Sequence, residues 1–389
     1  MAFPLGGTIS LEDLATDPHP HLARLRAQEP VSWVPVLDGW LVTRRDLCVR
    51  VMRDPETFTV DDPRFSTAQV VGPSMLSLDG SEHRRHREPF AGELLGANVR
   101  ARFADPVNRE ARRLASHLAP VGKAEIRRDL AGPLAVAVVS AALDLEGVDV
   151  TTMLSWYENI VADVHLLSRG EPATGAGFEA VRQLGHHVRL SSEHGAGLLA
   201  GARSALSADE VISNAAVMMF GGIETSEGMT TSLFWHLLTS PEQLQMVRSD
   251  RSLGRQAVEE SLRLEPAAAR VDRYSTRDVD LAGAPIRNGD LVIVSLTAAN
   301  RDPGAFPDPD RFDVRRPNAR AHLAFAQGPH ACIGIHLAKL ETLAALEAVL
   351  DLWPAVRLDQ FSERPTGLVF RKPHSVSVRW DIGTDSDRP

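Results

Sequence analysis

Cysteine is scarce. The 389-residue chain has two, Cys48 and Cys332. Two thiols cannot staple a disulfide-built fold, and such sparing use fits a reducing compartment. Cys48 sits in an apolar helical pattern and reads as inert packing. Long apolar runs are also missing. The longest, Leu134 to Leu143, falls far short of the ~20 residues that cross a bilayer. The N-terminus, MAFPLGGTISLEDLATDPHP, has no basic segment leading into an apolar core, so neither a signal peptide nor a membrane anchor is expected. There is no surplus of positive charge. The net charge is -9, which argues against general affinity for nucleic acid. No internal repeat is visible. These absences point to a soluble, cytoplasmic protein with no membrane or nucleic-acid partner. What remains is an ordinary globular composition, 43% hydrophobic and 24% charged, with length enough for a large core.

One of the two cysteines stands in an unusual setting. Cys332 lies in FAQGPHACIG, Phe325 to Gly334, between Gly328 and Gly334 and two residues after His330. The following IHLAKLETLAALEAVLDL has apolar residues at helical spacing and ends at Trp353-Pro354. A sulfur at a helix N-terminus meets free N–H groups and the positive end of the helix dipole, which favour a thiolate and so a metal ligand. The glycines allow turns and close backbone approach, a surface on which a flat cofactor could lie. The alternative is a buried structural cysteine.

Other stretches carry weaker signals. The segment SADEVISNAAVMMFGGIETSEGMTTSLFWHLLTSP opens on a capping box, Ser207 and Glu210, and closes at Ser240-Pro241. About 32 residues at 1.5 Å each predict a rod about 48 Å long. Gly221-Gly222 in its middle would cost about 1 kcal/mol each relative to alanine. They suggest a kink or a close approach by something else. Glu224 and Thr225 follow, an acid and a hydroxyl in an apolar helix that need a reason to be there. In SLDGSEHRRHREPF, Ser81 reads as a helix cap, with His83 and Arg87 on one face. Glu260 and Arg263 can pair across one turn. Strands are expected at Val31–Val36 and Trp40–Thr43 about an Asp38-Gly39 turn, around Asn288-Gly289, and in short pieces from Thr366 to Trp380. Thr59 to Pro73 reads as loop, and Val99 to Gly201 as mostly helix. The polar C-terminal tail reads as disordered.

In order along the chain, these stretches resemble the cytochrome P450 family. Phe325, Gly328, His330, Cys332 and Gly334 match its haem loop, with Ala326 where Gly or Ser is commoner. Gly221 to Ser226 is similar to its oxygen-activating Ala/Gly-Gly-x-Asp/Glu-Thr. Glu260 and Arg263 match its Glu-x-x-Arg. The resemblance implies a mainly α fold with a smaller β-rich part and a long central helix over the haem. It implies a single haem domain over residues 1–389, with no fused flavin or iron–sulfur domain.

The implied cofactor is haem b, iron protoporphyrin IX, with Cys332 as the metal ligand. His83, Arg87, Arg273 and His330 would hold the cofactor's propionates. Glu224 and Thr225 would be the catalytic pair, delivering protons during oxygen activation. Met75, Leu76, Val217, Phe220, Ala269 and Val369 would line the substrate pocket. Glu260, Arg263 and Arg311 would form a structural triad. The implied activity is monooxygenation: one atom of O2 enters a small organic substrate of bacterial secondary metabolism or catabolism, and the other leaves as water. A ferredoxin and its reductase would supply electrons, docking near Arg84, Arg85 and Lys339. The alternatives are a peroxygenase driven by hydrogen peroxide, and a haem-binding sensor without turnover.

Overall fold

The computed structural model describes residues 3–145, 147–168, 170–194, 197–359 and 362–382. The capping box forms as expected: Ser207 Oγ accepts from Glu210 N, and the helix it starts runs Ala208–Leu238 for 31 residues. Most of its side chains are buried, so it becomes the centre of the packing, with one half-buried stripe through Val217, Met218, Gly221, Gly222 and Thr225. Gly132–Ala142, Ala176–His194, Gly254–Leu264 and Ile335–Leu352 pack around it. Ile335–Leu352 in turn lies along Gly96–Leu118. The expected helical stretch before residue 201 resolves into Gly96–Leu118, Gly132–Ala142, Val150–Ser168, Ala176–His194 and Leu198–Ala202.

A five-stranded sheet stands to one side. Its spatial order is Val31–Val34, Gly39–Val42, Leu291–Ser295, Arg270–Ser275 and Phe58–Thr59. Val31 pairs with Val42 in an antiparallel register, while Gly39–Val42 runs parallel to Leu291–Ser295. The first strand stops at Val34 because Pro35 has no N–H to continue the ladder. Pro35–Leu37 forms a 3-10 turn that ends on Asp38 in the left-handed region, φ 47°. The expected tight Asp38-Gly39 hairpin is therefore a longer connection. A smaller sheet joins Lys123–Glu125, Ser377–Arg379 and Arg357–Leu358. Of the strands expected from Thr366 to Trp380, only Ser377–Arg379 joins a ladder. Thr366–Lys372 and Ala268–Phe370 are isolated bridges.

Two local expectations change. The stretch read as loop contains the helix Ser66–Val71, too short to show a period. The helix expected to be capped by Ser81 begins at Gly80, with Asp79 at the cap position but without a capping bond. The Asp79 carboxylate is used elsewhere, accepting from Thr59 Oγ1 at 2.6 Å and Val60 N at 2.9 Å. The polar tail, 383–389, lies outside the described residues.

The structural triad also changes membership. Glu260 and Arg263 are fully buried and paired, with Nε–Oε2 at 2.7 Å and Nη2–Oε1 at 2.9 Å. The third side chain is Arg316, not Arg311. Arg316 Nε stands 3.0 and 3.1 Å from the two Glu260 oxygens. Arg311 is exposed and contributes only its carbonyl, which accepts from Arg263 and Arg316. The turn at Asp308–Asp313 points Arg311 outward and brings Arg316 back underneath.

Glu260 thus lies between two guanidinium forks whose other N–H groups bond to carbonyls of Asn300, Pro307, Asp308 and Pro309. Removing one partner of such a buried cluster leaves a charge unpaired, at a cost of about 3–5 kcal/mol. Arg316→Met should therefore lower the unfolding free energy read from urea titration by that much, while Arg311→Met should stay within about 0.5 kcal/mol of the parent, as exposed positions do. Equal effects would return Arg311 to the triad.

Candidate functional site

The cysteine loop is closed by its own backbone. Ala326 N donates to Leu323 O at 2.9 Å, Ala331 N to Gly328 O at 3.1 Å and Cys332 N to Phe325 O at 2.8 Å. Gly328 has φ +77°, and a Cβ there would stand 2.3 Å from Met52 O, so only glycine fits. Ala326 is also left-handed, with φ 56°. The next helix begins at Ile335, with Gly334 at its cap position. The Cys332 side chain is exposed within the loop. Its thiol pKa is nonetheless raised: desolvation outweighs the lowering from the Gly334 and Ile335 N–H groups and from Arg87. The helix-terminus argument thus gives the right donors but not the net direction in the unligated thiol.

Beside the loop, Arg87 Nη2 donates to Ala331 O at 2.5 Å. Arg273 is buried, and its Nη1 bonds to Asp272 O at 2.7 Å. Among the described residues neither guanidinium forms an ion pair. Desolvation lowers both, Arg273 to about 10. His83 is buried with Nε2 unpartnered, its ring 4.3 Å from that of His330. Desolvation and the His330 and Arg87 charges lower it to about 4, so the imidazole is neutral at pH 7. His330 Nε2 reaches Asp79 Oδ1 at 2.8 Å. Burial would raise Asp79, but its donors His330, Thr59 and Val60 bring it below its usual value. A buried guanidinium, Arg273, and a half-buried one, Arg87, neither ion-paired among the described residues, together with an orphaned imidazole nitrogen fit a ligand bearing two carboxylates next to the thiol, as haem b does.

The long helix is assigned as one element straight through its glycine pair. At Gly222 a Cβ would stand 2.6 Å from Val139 Cγ2, so close packing explains this glycine. At Gly221 a Cβ would meet nothing within 4 Å. Thr225 Oγ1 donates back to Gly221 O at 2.5 Å. Glu224 turns away to another face, where Lys372 Nζ lies 2.9 Å from Oε1. Lys372 also reaches Glu227 at 3.2 Å, and Glu227 pairs with Arg127.

The six residues expected around a substrate fall into separate settings. Met75 is buried and its N–H donates to Asn214 Oδ1 at 2.9 Å. Leu76 and Val217 are half-buried. The Phe220 ring meets that of Phe370 edge-on, with centroids 5.6 Å apart. Ala269 N bonds to Val369 O at 2.8 Å. Ala269 also lines a small cavity with Leu14, Leu22, Leu41 and Leu368 beneath the N-terminal helices. The expected basic docking patch is largely neutralised. Arg85 pairs with Glu82 and Glu210, and Lys339 with Glu259.

The cytochrome P450 family model matches residues 195–354. Over 405 aligned residues the chain is 32% identical to cytochrome P450 monooxygenase PikC of Streptomyces venezuelae, covering 97% of this chain and 94% of that one. The chain is a cytochrome P450. It is also 32% identical to the 20-oxo-5-O-mycaminosyltylactone 23-monooxygenase of Streptomyces fradiae, over 87% of this chain and 83% of that protein. Among solved structures, CalO2 superposes with a TM-score of 0.87 at 28% identity, over 95% of this chain and 97% of that one. This P450 is a haem-thiolate monooxygenase that uses haem b, takes an organic substrate and draws electrons from redox partners. No helix among its described residues is long and apolar enough to cross a membrane.

Sequence reasoning missed Asp79, Arg127, Glu227, Arg316 and Lys372. Each acts on a residue far along the chain, so no local spacing marks it. It also missed Glu341, buried opposite Ser226 and pushed up by desolvation to about 8. Ala326 yields a prediction. A left-handed alanine costs about 1 kcal/mol relative to glycine. Ala326→Gly should stabilise this P450 by about that amount, read as a higher unfolding midpoint; a loss of stability would show that the loop does not hold φ positive in solution.

Proposed function

We propose that Cys332 is the proximal thiolate of this P450, that Arg87, Arg273, His83 and His330 hold the haem carboxylates, and that Thr225 with Glu224 manages proton delivery. The observation that carries this reading is the buried Arg273 and half-buried Arg87, neither ion-paired to a carboxylate among the described residues, beside an accessible thiol. When bound, haem supplies reductive activation of O2 and transfer of one oxygen atom to the substrate, with the other leaving as water. The chain's part is to bind, orient and hold protons. The Arg87 and Arg273 forks fix the group's carboxylate edge, and neutral His83 donates from Nε2. Thr225 keeps its hydroxyl on the long helix where Gly221 leaves open space. A hydroxyl there can hold a water, and Glu224 can reload it after turning from Lys372.

The substrate reading follows the relatives: a bacterial secondary metabolite, placed against Met75, Leu76, Val217, Phe220 and Val369. Residues 1–389 act as one haem domain in the cytoplasm. The electron donor is a ferredoxin served by a flavoprotein reductase, and the paired state of Arg85 and Lys339 gives its docking a weak salt dependence.

Two measurements test this. The reduced, CO-bound protein should absorb at the thiolate-ligated position, and Cys332→His should lose that band; a surviving band overturns the ligand assignment. Thr225→Ala should keep substrate binding and electron consumption but divert product into hydrogen peroxide, with product per electron falling at least about tenfold, a part of the roughly 10²–10⁴-fold that a positioned proton donor contributes. Unchanged coupling would remove Thr225 from the reaction.

A further inference from the structure

Glu224, Glu227 and Gly228 occupy one face of the long helix, three and four residues apart. That face is covered by the turn between Thr366 and Lys372. The turn is closed by two backbone bonds between these residues, each 3.1 Å. Gly367 at its corner has φ +123°, and a Cβ there would stand 1.9 Å from Phe370 O. Arg371 anchors the turn, with Nε 2.7 Å from Glu265 Oε1 and its N–H on Ala267 O. The turn is therefore rigid, and it touches the long helix twice. Phe370 meets Phe220, one turn before Glu224. Lys372 bridges Glu224 and Glu227.

The charges are not interchangeable. Glu227 has a second cation, Arg127, whereas the Glu224 carboxylate has one ion pair among the described residues, with Lys372. The side chains of Glu224 and Glu227 are 8% and 7% exposed, so an unpaired carboxylate there would be costly. The two cations form part of the wall of a surface cleft of about 490 Å³, shared with Glu363, Thr366, Phe370 and His374. The carboxylates stand behind them.

We propose that Lys372 is the positioning residue of Glu224: from a rigid turn it holds the carboxylate toward the cleft, away from Thr225, and makes the turn that carries Val369 and Phe370 the element that sets where Glu224 stands. This rests on the role assigned above to Glu224. It adds a link between the apolar Phe220–Phe370 contact and the acid, carried by one short segment.

The test uses Lys372→Met, Lys372→Arg, Glu224→Gln and the double variant Lys372→Met/Glu224→Gln, all as purified haem-loaded protein. Thermal unfolding and amide hydrogen exchange over residues 366–372 report on the ion pair without turnover. Lys372→Met should speed exchange in the turn, and its effect should be non-additive with Glu224→Gln, as for groups in contact. Imidazole titration, a probe of access to the haem, should be unchanged. With a surrogate ferredoxin and reductase and no added substrate, the peroxide released per O2 consumed should fall in Lys372→Met, whose freed Glu224 can turn toward Thr225, and return to the parent value in Lys372→Arg. Additive stabilities, or a parental peroxide share in Lys372→Met, would overturn the positioning role. If Thr225→Ala leaves the peroxide share unchanged, the proton-delivery reading fails instead, and the unfolding cycle and exchange rates still judge the Lys372–Glu224 link.

Discussion

The Glu260 carboxylate, fully buried between Arg263 and Arg316, is the interaction on which the rest depends. Three charges inside a protein are tolerated only when every donor and acceptor is used. Here the guanidinium forks also collect the carbonyls of Asn300, Pro307, Asp308, Pro309 and Arg311. That segment has little regular secondary structure to satisfy its backbone, so the arginines do it. The same helix presents Glu259 to His322 and Lys339, which bracket the cysteine loop on either side. A carboxylate on one helix thereby fixes an irregular run of chain and the loop that follows it.

The site has an electrostatic asymmetry. On the cysteine side, the buried Arg273 and half-buried Arg87 have no ion pair among the described residues, and desolvation lowers their pKa values. On the face of the long helix that carries Glu224, the carboxylates are matched by Lys372 and Arg127. The first arrangement suits an anionic ligand edge. The second holds an acid in place within an apolar helix. Between them, Thr225 spends its proton on the helix carbonyl four residues back. Its oxygen keeps acceptor capacity toward the open side at Gly221.

The long helix, its capping box and the glycine-bounded cysteine loop were legible because their determinants are local. Periodicity, caps and left-handed turns are written within a few residues. The glycine pair Gly221-Gly222 signals either a bend or a close approach, and the sequence cannot choose between them. Val139, 83 positions earlier in the chain, makes Gly222 the second. The helix Ser66–Val71 escaped notice because six residues show no period. Ser81 reads as the cap in the sequence, but the helix starts at Gly80, and the Asp79 carboxylate before it is held by Thr59 and His330 instead of capping.

The sequence by itself determined the family, the thiol loop, the central helix and the types of residue near the cofactor, because short-range sterics and hydrophobic period dictate them. Only the tertiary structure decided the partners of the charges. The resemblance names Arg311 as the partner of Glu260; the folded chain supplies Arg316. Nothing near Glu224 in the sequence names Lys372, 148 positions away. Ion pairing depends on distance in space and on burial, and the chain specifies neither until it has folded.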